Sequence, residues 1–169
     1  MGTSQLMILI ASLIILGMLT LQMTSSMSRN TDTNIYNQAL LAGSGIGQSL
    51  LEEIMGKAFD NKTLDGLPTV MVVDSLTPVG SLGPETGEVT YGQFDDIDDY
   101  NNYQRTDSLA IFGKFYSKAK IQYIYNLLPD SISSVRTFAK RVDVKVWNNY
   151  LKRDNGQLDT IRFTSIKAY

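Results

Sequence analysis

The sequence predicts an α+β fold: one long N-terminal α-helix whose second half packs against a C-terminal antiparallel β-sheet. Three observations predict it. Residues 1–28 carry no charged side chain, and 14 of the 18 residues from 6 to 23 (LMILIASLIILGMLTLQM) are apolar. Apolar residues then recur at Ile35, Ala39, Ala42, Ile46, Leu50, Ile54 and Ala58, spacings of 3 or 4 that trace one stripe of an amphipathic helix. In the last third the pattern changes to alternation, the signature of strands with one buried face.

The helix comes first. Residues 6–23 would reach about 27 Å as a helix, close to the hydrocarbon thickness of a bilayer. Only Ser12, Gly17, Thr20 and Gln22 interrupt the apolar run, so no face is left for water. A secretory signal is disfavoured because residues 1–5 hold no Lys or Arg. N-myristoylation is disfavoured because Leu6 stands where Ser or Thr is needed. With the amphipathic stripe, the expectation is a single helix of roughly 55 residues, about 80 Å long. Its apolar half (1–28) projects and its amphipathic half (29–58) packs on the head. Gly43, Gly45 and Gly47 interrupt it. No strand precedes them and no Lys-Ser/Thr pair follows, so close helix packing or a local bend is expected rather than a phosphate loop.

Residues 59–107 read as an acidic loop region. Pro68, Pro78 and Pro84, with Gly66, Gly80, Gly83, Gly87 and Gly92, punctuate it, leaving short strand candidates at residues 69–73 and 88–91. Asp95, Asp96, Asp98 and Asp99 form the one cluster with metal-binding chemistry, since calcium favours oxygen ligands. Tyr100 and the lack of a central Gly break the EF-hand spacing, so a solvated acidic loop is the preferred reading. Asn61, Lys62 and Thr63 fit a glycosylation sequon, whose ordinary meaning is an exposed turn.

Residues 108–169 read as three or four antiparallel strands. Phe115, Ser117, Ala119, Ile121, Tyr123 and Tyr125 alternate with Tyr116, Lys118, Lys120, Gln122 and Ile124. Val142, Val144 and Val146 alternate with Asp143, Lys145 and Trp147, and Ile161 and Phe163 continue after a turn signal at Asp154, Asn155 and Gly156. One face is expected on the helix, with a Lys/Tyr-bearing face outside.

Composition excludes several function classes. The chain has no His and no Cys, which removes thiol nucleophiles, His-based triads and the usual zinc, haem and iron–sulfur ligands. Its formal net charge of −2 does not fit a strongly basic nucleic-acid binder. Residues 29–107 hold 4 basic and 13 acidic residues, whereas 108–169 hold 11 basic and 4 acidic. These opposed blocks are expected to neutralise each other, within one molecule or between copies. No enzyme and no cofactor are expected, because no nucleophile–base pair is visible.

Gln5, Leu6, Met7, Ile8, Leu9, Ile10 and Ala11 resemble the opening of mature type IV pilins. A second patch, residues 48–54 (QSLLEEI) with 94–100 (FDDIDDY), is similar to prepilin-like proteins related to minor pilins of the mannose-sensitive haemagglutinin type. The resemblance implies a pilin-like fold, a leader removed before Met1, a methylated Met1, and assembly by machinery that extracts subunits from the inner membrane. The assembly surface would be Met1, Gln5, Leu6, Met7, Ile8, Leu9, Ile10, Ala11, Leu13 and Ile14, with Gly17, Thr20 and Gln22 where the helix loosens. Gln5 stands where the family carries a glutamate, and Gln22 where many members carry a proline. The implied function is a structural subunit of a type IV pilus or related helical homopolymer on the cell surface. A minor pilin or type II secretion pseudopilin is the alternative within that class. A single-span membrane-anchored periplasmic binding domain is the alternative outside it.

Overall fold

The computed structural model describes residues 2–64, 69–152 and 156–169. Met1, Gly66, Pro68, Asp154 and Asn155, which carry expectations above, lie outside the described residues. The fold is α+β: a helix, α1 (Thr3–Met55), followed by a five-stranded antiparallel sheet. The chain divides into two compact units, Met1–Gln38 and Ala39–Tyr169, and α1 belongs to both.

In the first unit, α1 runs unbroken through Gly17, Thr20 and Gln22, and every described residue up to Ile35 is exposed. Several of its hydroxyls are bonded to the helix itself. Ser12 Oγ donates to Leu9 O (2.8 Å), Thr20 Oγ1 to Leu16 O (2.8 Å) and Thr24 Oγ1 to Thr20 O (2.9 Å). These hydroxyls therefore need no water to be satisfied.

In the second unit the helix buries Ala39, Gly43, Gly47, Leu50 and Ile54. The expected stripe passed through Ala42 and Ile46, both only half-buried, so the packed face is rotated onto the glycines. A Cβ at Gly43 would lie 2.8 Å from Ile161 Cδ1, and one at Gly47 would lie 2.7 Å from Phe163 Cδ2 and 3.0 Å from Val146 Cγ2. Gly45 faces open space. Two of the three glycines thus let the helix approach the sheet closely. Lys167 donates through Nζ to the carbonyls of Met55 (2.9 Å) and Lys57, placing a cation at the negative end of α1.

The strands are β1 (Gln104–Leu109), β2 (Gly113–Tyr125), β3 (Leu128–Ile132), β4 (Ala139–Trp147) and β5 (Ile161–Ala168), in the order β1-β2-β4-β5 with β3 also paired to β2. The alternation expected along β2 holds through Tyr123, with Phe115, Ser117, Ala119, Ile121 and Tyr123 buried. It then reverses: Ile124 is buried and Tyr125 exposed, at the irregularity where β2 meets β3. Val142, Val144 and Val146 are buried as expected. The first strand begins at Gln104, within the segment read as loop.

Two expectations fail in residues 59–103. The strand candidates at 69–73 and 88–91 are not strands; short 3-10 turns occupy Val73–Ser75 and Tyr91–Gln93. The reason is local competition for amides. Val89 N and Thr90 N both donate to Gln93 Oε1 (2.9 Å each), and Val70 N donates to the Tyr169 hydroxyl (3.0 Å), so these groups are spent before any ladder forms.

Candidate assembly helix and buried acidic turn

The sequence singled out two places, and the structure treats them oppositely. The residues expected to carry assembly, Gln5, Leu6, Met7, Ile8, Leu9, Ile10, Ala11, Leu13 and Ile14, all lie on α1 and are all exposed. Met1 lies outside the described residues. The helix is long and apolar enough to cross a membrane, and no part of its most apolar 18-residue window is buried within the molecule.

The acidic segment is not a solvated loop. Asp96, Asp98 and Asp99 are buried, at 0%, 0% and 1% exposure. The backbone pulls them in. Ala58 N donates to Asp95 O (3.1 Å) and Ile97 N to Ala58 O (3.1 Å), so the segment is laced to the chain just past α1. Ile97 and Tyr100, both fully buried, anchor it in the core. The Tyr100 hydroxyl donates to Glu53 Oε1 (2.8 Å), and Arg105 binds the other oxygen of that carboxylate at 3.1 Å. Burying Ile97 and Tyr100 carries the intervening aspartates inside.

Asp98 meets a cation there. Lys140 on β4 is fully buried and donates through Nζ to Asp98 Oδ1, to Asp60 Oδ2 (3.0 Å) and to Phe59 O (2.8 Å). Its ammonium also lies 4.6 Å from the centre of the Phe59 ring and 5.0 Å from that of Tyr123. Lys140 departs from the expected outward Lys/Tyr face, as Lys167 does at the end of α1. Its position was readable: it stands two residues before Val142 and shares the phase of the buried valines. Asp60 also accepts from Thr77 N (2.9 Å) and Lys62 N (3.2 Å). Burial pushes its carboxyl up, but Lys140 and these amides outweigh that and hold it below the usual carboxylate range. Burial wins at Asp98, pushed up to about 6 despite Lys140. Asp96 is pushed up to about 8 by burial and by the neighbouring Asp98 and Asp99.

The four aspartates do not form one site. Asp98 turns to Lys140, whereas Asp99 joins Glu85 and Glu88, with one carboxylate oxygen of each within 4.8 Å of the others. This is the group with metal-binding spacing among the described residues, and it replaces the set proposed from sequence. Glu85 and Glu88 were missed because they lie more than ten residues upstream of Asp99 in the chain. All three carboxyls are held above their usual range, chiefly by burial.

The opposed charge blocks are joined within the molecule by Lys140 with Asp60 and Asp98, and by Arg136 with Asp74 at 3.6 Å. Compared with known proteins, the chain matches no family model, and no curated protein or solved structure matches it at a significant level.

Proposed function

We propose that the chain is a structural subunit of a type IV pilus or a related helical filament, held in the inner membrane before assembly and on the cell surface afterwards. The observation that carries this reading is the first half of α1. It is apolar around its whole circumference from Leu6 to Met23, bonds the hydroxyls of Ser12 and Thr20 to its own carbonyls, and buries none of its most apolar window within the chain. At about 25 cal/mol per Å² of apolar surface, water is the wrong solvent for such a segment. Lipid suits it, and so does a bundle of identical helices. Moving from the first to the second exchanges one apolar medium for another. A contact that repeats head to tail without closing generates an open helical polymer.

The helix-on-sheet second unit and the resemblance of residues 5–11 to pilins support the same reading. It assigns Gln5 a weaker version of the family's glutamate role: a neutral carbonyl accepts a hydrogen bond from an ammonium but does not neutralise it. The reading is of a non-catalytic protein that binds copies of itself and its assembly machinery, without a cofactor or nucleic acid.

Electron microscopy and mass spectrometry of sheared cell-surface material test it. Fibres containing this chain, with Met1 methylated and no leader, are expected. A chain that stays in the membrane fraction and never sediments as fibres would instead identify a single-span anchored periplasmic domain. A handful of copies per fibre would identify a minor pilin or pseudopilin, the role that Gln5 in place of glutamate favours.

A further inference from the structure

We infer that Glu85, Glu88 and Asp99 form a divalent-cation site, with calcium its natural occupant. The inference stands apart from filament assembly, because it rests wholly on the second unit.

Three carboxylates converge, with one oxygen of each within 4.8 Å of the others, and among the described residues no ion pair reaches any of them. Between residues 85 and 99 the chain has six acidic side chains and no basic one. Lys140 is paired with Asp98 and Asp60, and Arg105 with Glu53 and Asp107. An acidic cluster alone would be unremarkable on a surface, but this one is not all on the surface. Asp99 is 1% exposed, and its two oxygens have different fates. Oδ2 accepts from Asp95 N (2.9 Å) and Asp96 N (3.1 Å), which fixes the carboxylate's orientation. Oδ1 is buried with no hydrogen-bond partner, and so is Glu85 Oε2. A buried carboxylate oxygen without a donor is costly, and three carboxylates drawn this close repel one another.

A cation removes both costs at once. The donors are all hard oxygens, with no nitrogen or sulfur among them, which selects calcium or magnesium over zinc or copper. Oxygens bound to calcium lie about 2.3–2.6 Å from the ion, so a pair on one ion is separated by at most about twice that. The spacing of the three carboxylates falls within this limit. Magnesium demands a tighter octahedron and retains its water, so calcium fits this set better. Glu88 Oε2 already accepts from Glu85 N (2.9 Å), holding the two glutamates in one short turn.

Isothermal titration calorimetry of the full-length chain in detergent micelles, first stripped with EDTA, tests the site with calcium chloride as the probe. One ion per chain is expected, with a Kd of about 10⁻⁴–10⁻³ M, the range of extracellular calcium modules. The unfolding temperature, followed by Trp147 fluorescence, should rise with calcium and rise less with magnesium. Glu88→Gln, on the half-buried rim, should weaken calcium binding by about tenfold or more while the chain still folds. Asp130→Asn, which removes an exposed carboxylate on β3, should leave binding unchanged. Three results would overturn the site: no saturable heat at about 10 mM calcium, equal stabilisation by both ions, or a Glu88→Gln chain that binds like the parent. The first would mean that the three carboxyls share protons, the second that the ions only screen charge.

Discussion

The first half of α1 and the acidic turn are mirror images in their use of solvent. In the first, Leu6 to Met23 stand exposed although almost all are apolar; in the second, Asp96, Asp98 and Asp99 are buried although all are acidic. Each inversion needs a partner, and the partners differ in where they come from. Asp98 finds its partner inside the chain, in Lys140. The apolar window of the helix finds none among the described residues, and the complement that the proposed function gives it is lipid or another copy of the chain. The difference teaches that burial alone does not separate a structural feature from an interaction surface; what separates them is whether the chain itself supplies the complement.

The largest effect expected from breaking this contrast is at the buried ion pair. Lys140→Met leaves Asp60 and Asp98 inside without a counter-charge, which should cost about 3–5 kcal/mol in urea unfolding. Adding Asp60→Asn and Asp98→Asn to the same chain should recover much of the loss, because the uncompensated charge goes with them. A triple variant as unstable as Lys140→Met would show that the lysine acts through packing rather than charge.

Leu13→Lys tests the other side. A lysine at the centre of an apolar span costs about 2.5–3.5 kcal/mol on insertion. Fractionation should show the variant lost from membranes and from fibres. Its sheet should unfold at the parent's urea midpoint, since Leu13 is exposed and belongs to the unit that does not contain the sheet.

The glycines of α1 sharpen the comparison within one helix. Gly47→Ala should destabilise by about 1–3 kcal/mol, because its Cβ meets the Phe163 ring and Val146. Gly45→Ala, two residues away in open space, should stabilise by about 0.5–1 kcal/mol through helix propensity. Thermal unfolding of the two variants should therefore move in opposite directions.

Where local pattern and burial agree, residues alone were enough to place the element. The continuous apolar run of α1 and the alternation at Val142, Val144 and Val146 needed no tertiary information. The packed face of α1 was placed correctly at Ala39, Leu50 and Ile54 but one position off at Ala42 and Ile46, because apolar counting follows side chains, whereas Gly43 and Gly47 pack by having none. The residues at 69–73 and 88–91 have strand composition, but their amides are taken by Tyr169 and Gln93, a competition that composition does not register. The acidic turn was misread for a related reason. Charge suggested solvent, while Ile97 and Tyr100, spaced to enter the core, decided where the aspartates went. Lys140 was hidden by its identity and revealed by its phase.

The smallest effect expected is in the acid limb of stability, and it comes from Asp60. Its folded-state carboxyl is held below the usual range, with burial opposing and Lys140 and two amides prevailing. A group depressed in this way contributes stability above the unfolded carboxylate pKa of about 4, and the contribution disappears as pH falls through the lower folded value. Asp60→Asn cannot titrate, and its single amide oxygen can accept from only one of Lys62 N and Thr77 N, which reach different oxygens of Asp60. The urea midpoint of the parent should therefore exceed that of Asp60→Asn near neutral pH, and the gap should narrow as pH falls below about 4, leaving the part that comes from the lost amide acceptor. A gap that stayed constant with pH would mean that Asp60 stabilises the fold through its cap on the Asn61–Thr63 turn and not through its charge beside Lys140.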